Sequence, residues 1–163
     1  MGIKTRIAPI SAALGRVSLR KLPEWNRVRN ENHRWLSEHL EGLGFDCFLP
    51  PRGVERVYFE FLIRHRDPAF DTPRFMEILQ RLGCQVRTPR YPLLHEQPFF
   101  REGHIAGIGR YPAAIRLPDY ARLQLPLTER ENCRLIKLPN FCHPDTGLLE
   151  QYRAAFEHAL SSR

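Results

Sequence analysis

The sequence predicts one α/β domain that follows a long helical arm. Its 163 residues match the usual size of a single domain, and 42% apolar with 10% aromatic residues suffice to fill one core. Helical periodicity runs through the first 43 residues, whereas short β-rich runs alternate with amphipathic segments further on. We therefore divide the chain into a helical arm with a linker helix, residues 1–43, and an α/β domain, residues 44–163.

The arm has an apolar stripe at helical spacing. Ile10, Leu14 and Val17 begin the stripe, which continues into the following segment. Pro23 interrupts it, because proline lacks an amide N–H and clashes with the carbonyl one turn earlier. We expect a kink or a break near Leu22, with Pro23 opening a second helix. A long arm at the start of a domain suggests packing on something that the chain does not contain, or on a partner subunit.

The domain begins with a predicted strand, helix, strand unit. Residues 54–64 are dense in β-branched and aromatic side chains, which favours a buried strand. Thr72 is the expected helix N-cap, Pro73 suits the first helical position, and Gly83 is the expected stop. Residues 84–88 then form a short second strand.

The later part of the chain combines a long loop with two further elements. Residues 89–118 contain five prolines, and long loops inside a compact domain are usually functional. Residues 133–138 are the third expected strand. Residues 145–160 form an amphipathic final helix, with Asp145 as its N-cap and His143 in the turn before it.

Several classes of protein are excluded by composition. No apolar run approaches the roughly 20 residues that cross a bilayer, and the first residues lack an apolar leader, so we expect a soluble, cytoplasmic protein without a membrane partner. The four cysteines form no C-x-x-C pair, which predicts free thiols and no metal site. They are Cys47, Cys84, Cys133 and Cys142.

The charge balance is strongly basic. The formal net charge is +7, and the 25 basic residues include only three lysines, Lys4, Lys21 and Lys137. The arginines are scattered and never form a run of five or six, which fits a solvated surface or an anionic partner better than a nucleic-acid-binding stripe. Nucleic acid is therefore an unlikely partner.

No sequence motif in this chain forms a self-contained catalytic centre. The sequence contains no G-x-S-x-G, P-loop, G-x-G-x-x-G or H-E-x-x-H pattern, and we assign no catalytic residue. His95 stands between prolines on a rigid loop that could present its imidazole to a ligand, although a surface histidine fits the pattern equally well. Lys4 and Arg6 precede a helix start, where an anion is favoured, although such residues are more often simply solvated.

Short stretches spread over nearly the whole chain carry a further signal through their order and spacing. They are GIKTRI at 2–7, SAALG at 11–15, LRKL at 19–22, Arg29-Asn30 with Leu36, Gly83, YPLLHEQP at 91–98, Leu138-Pro139, and Gln151-Tyr152 with Ala155-Phe156. Together they resemble the DegT/DnrJ/EryC1/StrS family, the pyridoxal-phosphate (PLP) aminotransferases of sugar and aminocyclitol biosynthesis. Two positions depart from the family pattern, since Ile3 replaces an aromatic residue and Ser18 replaces a frequent Gln.

The resemblance implies a fold for this chain and a catalytic lysine that lies in another part of the enzyme. It implies the small C-terminal domain of the aspartate-aminotransferase-like, fold type I transferases: a long N-terminal helical arm plus a three-stranded, largely antiparallel sheet with helices on one face. It covers only the later part of such an enzyme, after the segment with the Schiff-base lysine, and none of the three lysines occupies that context. The chain alone is then expected to be inactive and not to hold PLP covalently.

The resemblance also implies site residues and partners. Lys4 and Arg6 match positions that contact the cofactor phosphate in a neighbouring subunit, and Tyr91 and His95 match the substrate loop. The implied partners are a large PLP-binding domain or second subunit, in a homodimer or heteromer, and a nucleotide-sugar or aminocyclitol substrate. The alternative is a non-catalytic interaction module that docks a partner through the N-terminal helix.

Overall fold

The computed structural model describes residues 6–105, 109–110 and 118–162. Within these ranges the chain forms five α-helices, a three-stranded sheet and a two-stranded ribbon. The elements are α1 (Pro9–Gly42), β1 (Phe45–Asp46), β2 (Phe61–His65), α2 (Thr72–Arg81), α3 (Pro98–Arg101), β3 (His104–Ile105), β4 (Gly109–Arg110), α4 (Pro126–Cys133), β5 (Leu135–Leu138) and α5 (Thr146–Ser161). Among the described residues, no helix is both long and apolar enough to cross a membrane.

The arm is one continuous helix, so a break near Leu22 with Pro23 opening a second helix is wrong, while a kink there stays a prediction. Helix α1 runs for 34 residues with Pro23 in its interior. A proline removes one backbone hydrogen bond, but the helical bonds on both sides remain, and the exposed carbonyl that loses its donor can bind water. Directly after Pro23, the guanidinium of Arg27 lies 2.7 Å from carboxylate oxygens of both Glu24 and Glu31, which supports the next turns.

The two halves of α1 differ in their surroundings. In the second half Val28, Leu36 and Leu40 are buried, and α1 contacts α5 and β1. In the first half the same stripe is open to solvent, since Ile10 is 77% exposed and Leu14 is 64% exposed. One face of a single helix therefore passes from the core into solvent.

The sheet has the strand order β1-β2-β5 and is antiparallel throughout, in agreement with the three-stranded, largely antiparallel sheet that the family resemblance implied. Phe61 lies opposite Leu138, and Ile63 lies opposite Ile136. These four side chains are buried, whereas the alternating positions are half-buried. Because strand side chains alternate between faces, one face packs on α1, α2 and α5 in a single apolar core.

Aromatic rings fill the centre of this core. The ring centroid of Phe45 lies 5.6 Å from that of Phe75 and 5.4 Å from that of Phe156, so β1, α2 and α5 meet at one point. Phe75 and Phe156 are themselves 5.5 Å apart in an edge-to-face arrangement. Such pairs add to the free energy that burial of the rings already contributes.

The strands are shorter than their composition suggested. Of the predicted strand at 54–64, only Phe61–His65 pairs with neighbouring strands. Val57 and Phe59, which precede it, are 65% and 64% exposed and have no paired strand beside them. The predicted strand at 84–88 contributes a single bridge, between Arg87 and Lys137.

The helix ends follow local capping rules, with one correction. Asp71, and not Thr72, caps α2: its Oδ1 accepts a hydrogen bond from the amide of Arg74 at 3.0 Å. Gly83 adopts φ +88° just past the helix, which confirms it as the stop. Asp145 caps α5 as predicted, accepting from the amide of Leu148 at 3.0 Å.

The described residues of the proline-rich segment, 89–105, 109–110 and 118, form loop, short helical turns and two short strands. A 3-10 turn covers Leu94–Glu96, helix α3 follows at once, and a second 3-10 turn covers Tyr120–Arg122. Strands β3 and β4 pair antiparallel as a small ribbon. All four cysteines are free thiols, as expected.

Candidate functional site

His95 lies in the short 3-10 turn between two prolines, and its side chain is buried. It is 8% exposed, and its Nε2 lies 3.3 Å from Oε1 of Glu129 at the start of α4. The same carboxylate oxygen accepts the amide hydrogen of Leu125 at 2.8 Å. That amide, and then His95, hold the pKa of Glu129 below its usual value. His95 is therefore held against α4 rather than free on the surface.

A small polar pocket opens beside this pair. Its volume is about 120 Å³, and it is lined by His95, Glu96, Arg101, Tyr120, Leu123 and Glu129. An imidazole held by a carboxylate can donate, accept or relay a proton, and Arg101 adds a cation. The pocket is smaller than the roughly 300 Å³ or more that a drug-sized ligand occupies. It can therefore hold a small substituent but not a whole drug-sized ligand.

Tyr91 belongs to the same loop but does not line this pocket. It is 59% exposed, and its ring centroid lies 6.0 Å from the guanidinium carbon of Arg90. That guanidinium also lies 5.5 Å from the ring centroid of Phe59. Phe59, Arg90 and Tyr91 thus form a separate exposed cluster within the described part of the chain, and the structure does not bring Tyr91 to His95.

The predicted phosphate contacts lie at the start of the arm. Lys4 falls outside the described residues. Arg6 is exposed just ahead of α1 and makes no ion pair with any residue that the structure describes. The geometry leaves its guanidinium accessible to an anion from outside this fold.

The lysines in the described ranges do not form a site for PLP. Such a site needs a lysine amine in a pocket that favours its neutral form, together with an acid for the pyridinium nitrogen. Nζ of Lys137 instead lies 2.6 Å from Oε1 of Glu60, so this amine is engaged in an ion pair. Lys21 is exposed on the arm. The described residues therefore do not fit the cofactor by themselves.

His33 is a chemically unusual residue that sequence reasoning did not single out. It is 0% exposed and stacks on Phe61 at a centroid distance of 4.1 Å. Neither of its ring nitrogens meets the geometry of a full hydrogen bond with a described residue, although the backbone of Asn140 lies close enough to interact with the ring. Burial lowers the pKa of His33 to about 3; Arg29 and Arg56 act in the same direction, and the backbone of Asn140 opposes them. Its spacing of three and seven residues before Leu36 and Leu40 could have revealed its burial.

Asn32, beside it, fixes the loop that follows β5. Its Nδ2 donates to the carbonyl oxygens of Phe141 and His143, both at 2.7 Å. Phe141 has φ +33°, a conformation that a non-glycine residue adopts only when its surroundings hold it there. The arm helix thereby determines the path of the chain into α5.

The comparison with known protein families agrees with this architecture. The family model of the DegT/DnrJ/EryC1/StrS aminotransferase family matches residues 1–139, which include the arm helix, the sheet and the His95 loop. The match defines the class of protein, a PLP-dependent sugar aminotransferase. This chain belongs to the DegT/DnrJ/EryC1/StrS aminotransferase family, as the order of its motifs predicted.

Proposed function

We propose that this chain is the C-terminal small domain of an aminotransferase that transfers an amino group from an amino-acid donor to a keto-sugar or keto-cyclitol. Membership of the family supports the reaction class. The pairing of Lys137 with Glu60 and the exposure of Lys21 support a Schiff-base lysine that lies in a large domain. That domain is either a preceding part of the same polypeptide or a separate subunit, and this chain alone is inactive.

The observation that carries this proposal is the open half of α1. Ile10, Leu14 and Val17 are 77%, 64% and 44% exposed on the face that Val28 continues into the core. Burying each of these side chains would contribute about 1.5–3 kcal/mol. An apolar stripe that extends an internal packing interface supports a contact with the large domain or second subunit on this face.

In the assembled enzyme the predicted site residues have distinct roles. We assign Tyr91 and His95 to the substrate, and Lys4 and Arg6 to the cofactor phosphate at an active site shared between subunits. The His95–Glu129 contact supports a hydrogen-bonding role toward a substrate hydroxyl or carbonyl. The accessible guanidinium of Arg6 supports a role toward an anion.

The absence of a Schiff-base lysine is tested on the purified chain with added PLP. We expect no internal-aldimine absorbance band and no covalently retained cofactor after borohydride reduction. Mass spectrometry that located reduced PLP on Lys4, Lys21 or Lys137 would refute this part of the proposal.

The packing role of the stripe is tested by co-expression with a lysine-bearing large domain of the family. Leu14→Asp should abolish co-purification and transamination together, because it places a carboxylate in the proposed interface. Leu19→Asp is the matched control, since Leu19 is 67% exposed and lies about 140° around the helix from Leu14. Equal loss in both variants, or loss in neither, would contradict the assignment.

A second function fits the same exposed stripe. A non-catalytic interaction module would use α1 to dock a partner without contributing to chemistry. In that case Leu14→Asp would disrupt the complex, whereas His95→Ala and Arg6→Ala would leave the transamination rate of the complex unchanged. Loss of activity in both of those variants, with the complex intact, favours the enzyme.

A further inference from the structure

A cavity lies between the arm helix and the segment that follows β1. Its volume is about 600 Å³, within the ordinary range for small-molecule sites. Asn30, Arg34 and Glu38 line it from α1, and residues 49–56 with Tyr58 line it from the other side. Neither His95 nor Tyr91 is among its lining residues.

Cations outnumber anions in this lining. Arg34, Arg52 and Arg56 face the cavity together with two carboxylates, Glu38 and Glu55. Arg34 and Arg52 make no ion pair with any described residue. Two guanidiniums that have no ion-pair partner thus lie at one cavity. Guanidinium groups are the donors that phosphate oxygens bind most readily, often through two parallel hydrogen bonds.

Arg56 is already held in place. Its Nη1 donates to the carbonyl oxygen of Phe48 at 2.6 Å, and its guanidinium carbon lies 4.6 Å from the ring centroid of Tyr58. Phe48 has φ +51°, a left-handed conformation that is uncommon for a non-glycine residue. The hydrogen bond and the ring contact fix one cationic wall before any ligand arrives, which lowers the ordering cost of binding.

The remaining lining is suited to a hydroxylated ring. Leu49, Pro50 and Val54 supply an apolar wall that can contact C–H groups of a sugar. The carboxylates of Glu38 and Glu55 can accept hydrogen bonds from hydroxyls, as carboxylates are acceptors only when ionised. A cationic ligand would instead face three guanidiniums.

We propose that this cavity binds a phosphate ester of a hydroxylated ring, a sugar phosphate in its simplest form. Arg34 and Arg52 bind the phosphate, Arg56 and Tyr58 form the fixed wall, and Glu38 with Glu55 bind ring hydroxyls. Three observations support this ligand class: Arg34 and Arg52 have no ion-pair partner among the described residues, Arg56 is held in place, and an apolar wall lies beside them.

Isothermal titration calorimetry at low ionic strength tests the proposal on the full chain. The three probes are glucose 6-phosphate, inorganic phosphate and glucose. We expect glucose 6-phosphate to bind at least about tenfold more tightly than inorganic phosphate, because hydroxyl contacts to carboxylates add to the phosphate contacts. Glucose should not bind at about 1 mM. No heat from either phosphate compound would overturn the proposal, and equal affinities would overturn its sugar part.

Variants on the cavity wall locate the site. Arg34→Gln and Arg52→Gln should each weaken glucose 6-phosphate binding about tenfold or more. Glu38→Gln should weaken glucose 6-phosphate and leave inorganic phosphate unchanged or tighter. Arg20→Gln is the control, since Arg20 is exposed on the same helix and its Nε bonds only the carbonyl of Arg16 at 3.4 Å. An equal loss in the Arg20 variant would show that net charge alone attracts the ligand, and would refute the site.

Discussion

Acidification should destabilise this domain through His33. The imidazole is fully buried against Phe61 and Tyr58, and neither ring nitrogen meets the geometry of a full hydrogen bond with a described residue. Burial lowers the pKa of His33 from 6.5 to about 3; the backbone of Asn140 opposes this shift, and the charges of Arg29 and Arg56 add to it. The folded domain therefore keeps this ring neutral over a pH range in which the unfolded chain protonates it.

The sign and size of the effect follow from proton linkage. Because the unfolded chain binds the proton first, the contribution of His33 is complete above pH 6.5 and is lost as the pH falls from 6.5 toward 3. The free energy of unfolding should decrease by about 1.4 kcal/mol per pH unit within that window. Between pH 7.5 and pH 5 the loss amounts to about 2 kcal/mol, a large share of the 5–15 kcal/mol that stabilises typical domains.

Urea denaturation at pH 7.5, 6 and 5 measures this loss. His33→Leu replaces the ring with an apolar side chain and should reduce the pH dependence by about 2 kcal/mol over the range. His143→Leu is the control, because His143 is exposed to solvent. If wild type and His33→Leu lose stability in parallel as the pH falls, the assignment of acid sensitivity to His33 is wrong.

Three further substitutions test the packing that positions the site. Asp145→Ala should lower the free energy of unfolding by about 1 kcal/mol because it removes the cap of α5, and Asp145→Asn should restore most of it. Asn32→Ala leaves two carbonyl oxygens at 141–143 without their donor and should cost about 2 kcal/mol; urea denaturation and amide exchange in the loop report it, and unchanged exchange would exclude the anchoring role. Phe156→Ala empties the centre of the core and should cost about 3–5 kcal/mol, whereas Phe156→Leu should cost much less; equal thermal midpoints for the two would contradict the packing described.

Sequence reasoning succeeded where the controlling interactions are local. The amphipathic pattern of α5, the cap at Asp145 and the glycine stop at Gly83 each depend on residues within one or two turns. The predicted helix α2 was also present, with its cap displaced by one residue to Asp71. Both aspartate and threonine can cap a helix, so that choice depends on backbone geometry that the sequence does not display.

The candidate site was only partly predictable. The proline-flanked loop identified His95, but its contact with Glu129 joins residues 34 positions apart, and no local pattern encodes that separation. His33 was missed because a histidine was not counted with the apolar stripe, although its helical spacing to Leu36 and Leu40 places it on the buried face. Only the folded chain shows that Phe61 packs on its ring. The cavity at Arg34 and Arg52 joins the arm to a loop and was likewise outside what periodicity can show.

The amino-acid sequence by itself determined the class of this protein. Motifs, helical periodicity and capping residues each depend on amino acids that are close together in the chain, so they can be recognised without the fold. Tertiary structure alone decided that α1 continues through Pro23, that the strand at 54–64 is limited to Phe61–His65, and that part of the arm's apolar stripe stays exposed. The physical reason is that pairing and burial depend on which distant segments arrive beside a residue. An apolar side chain at helical spacing requires a partner surface, and only the folded chain reveals where that surface is missing.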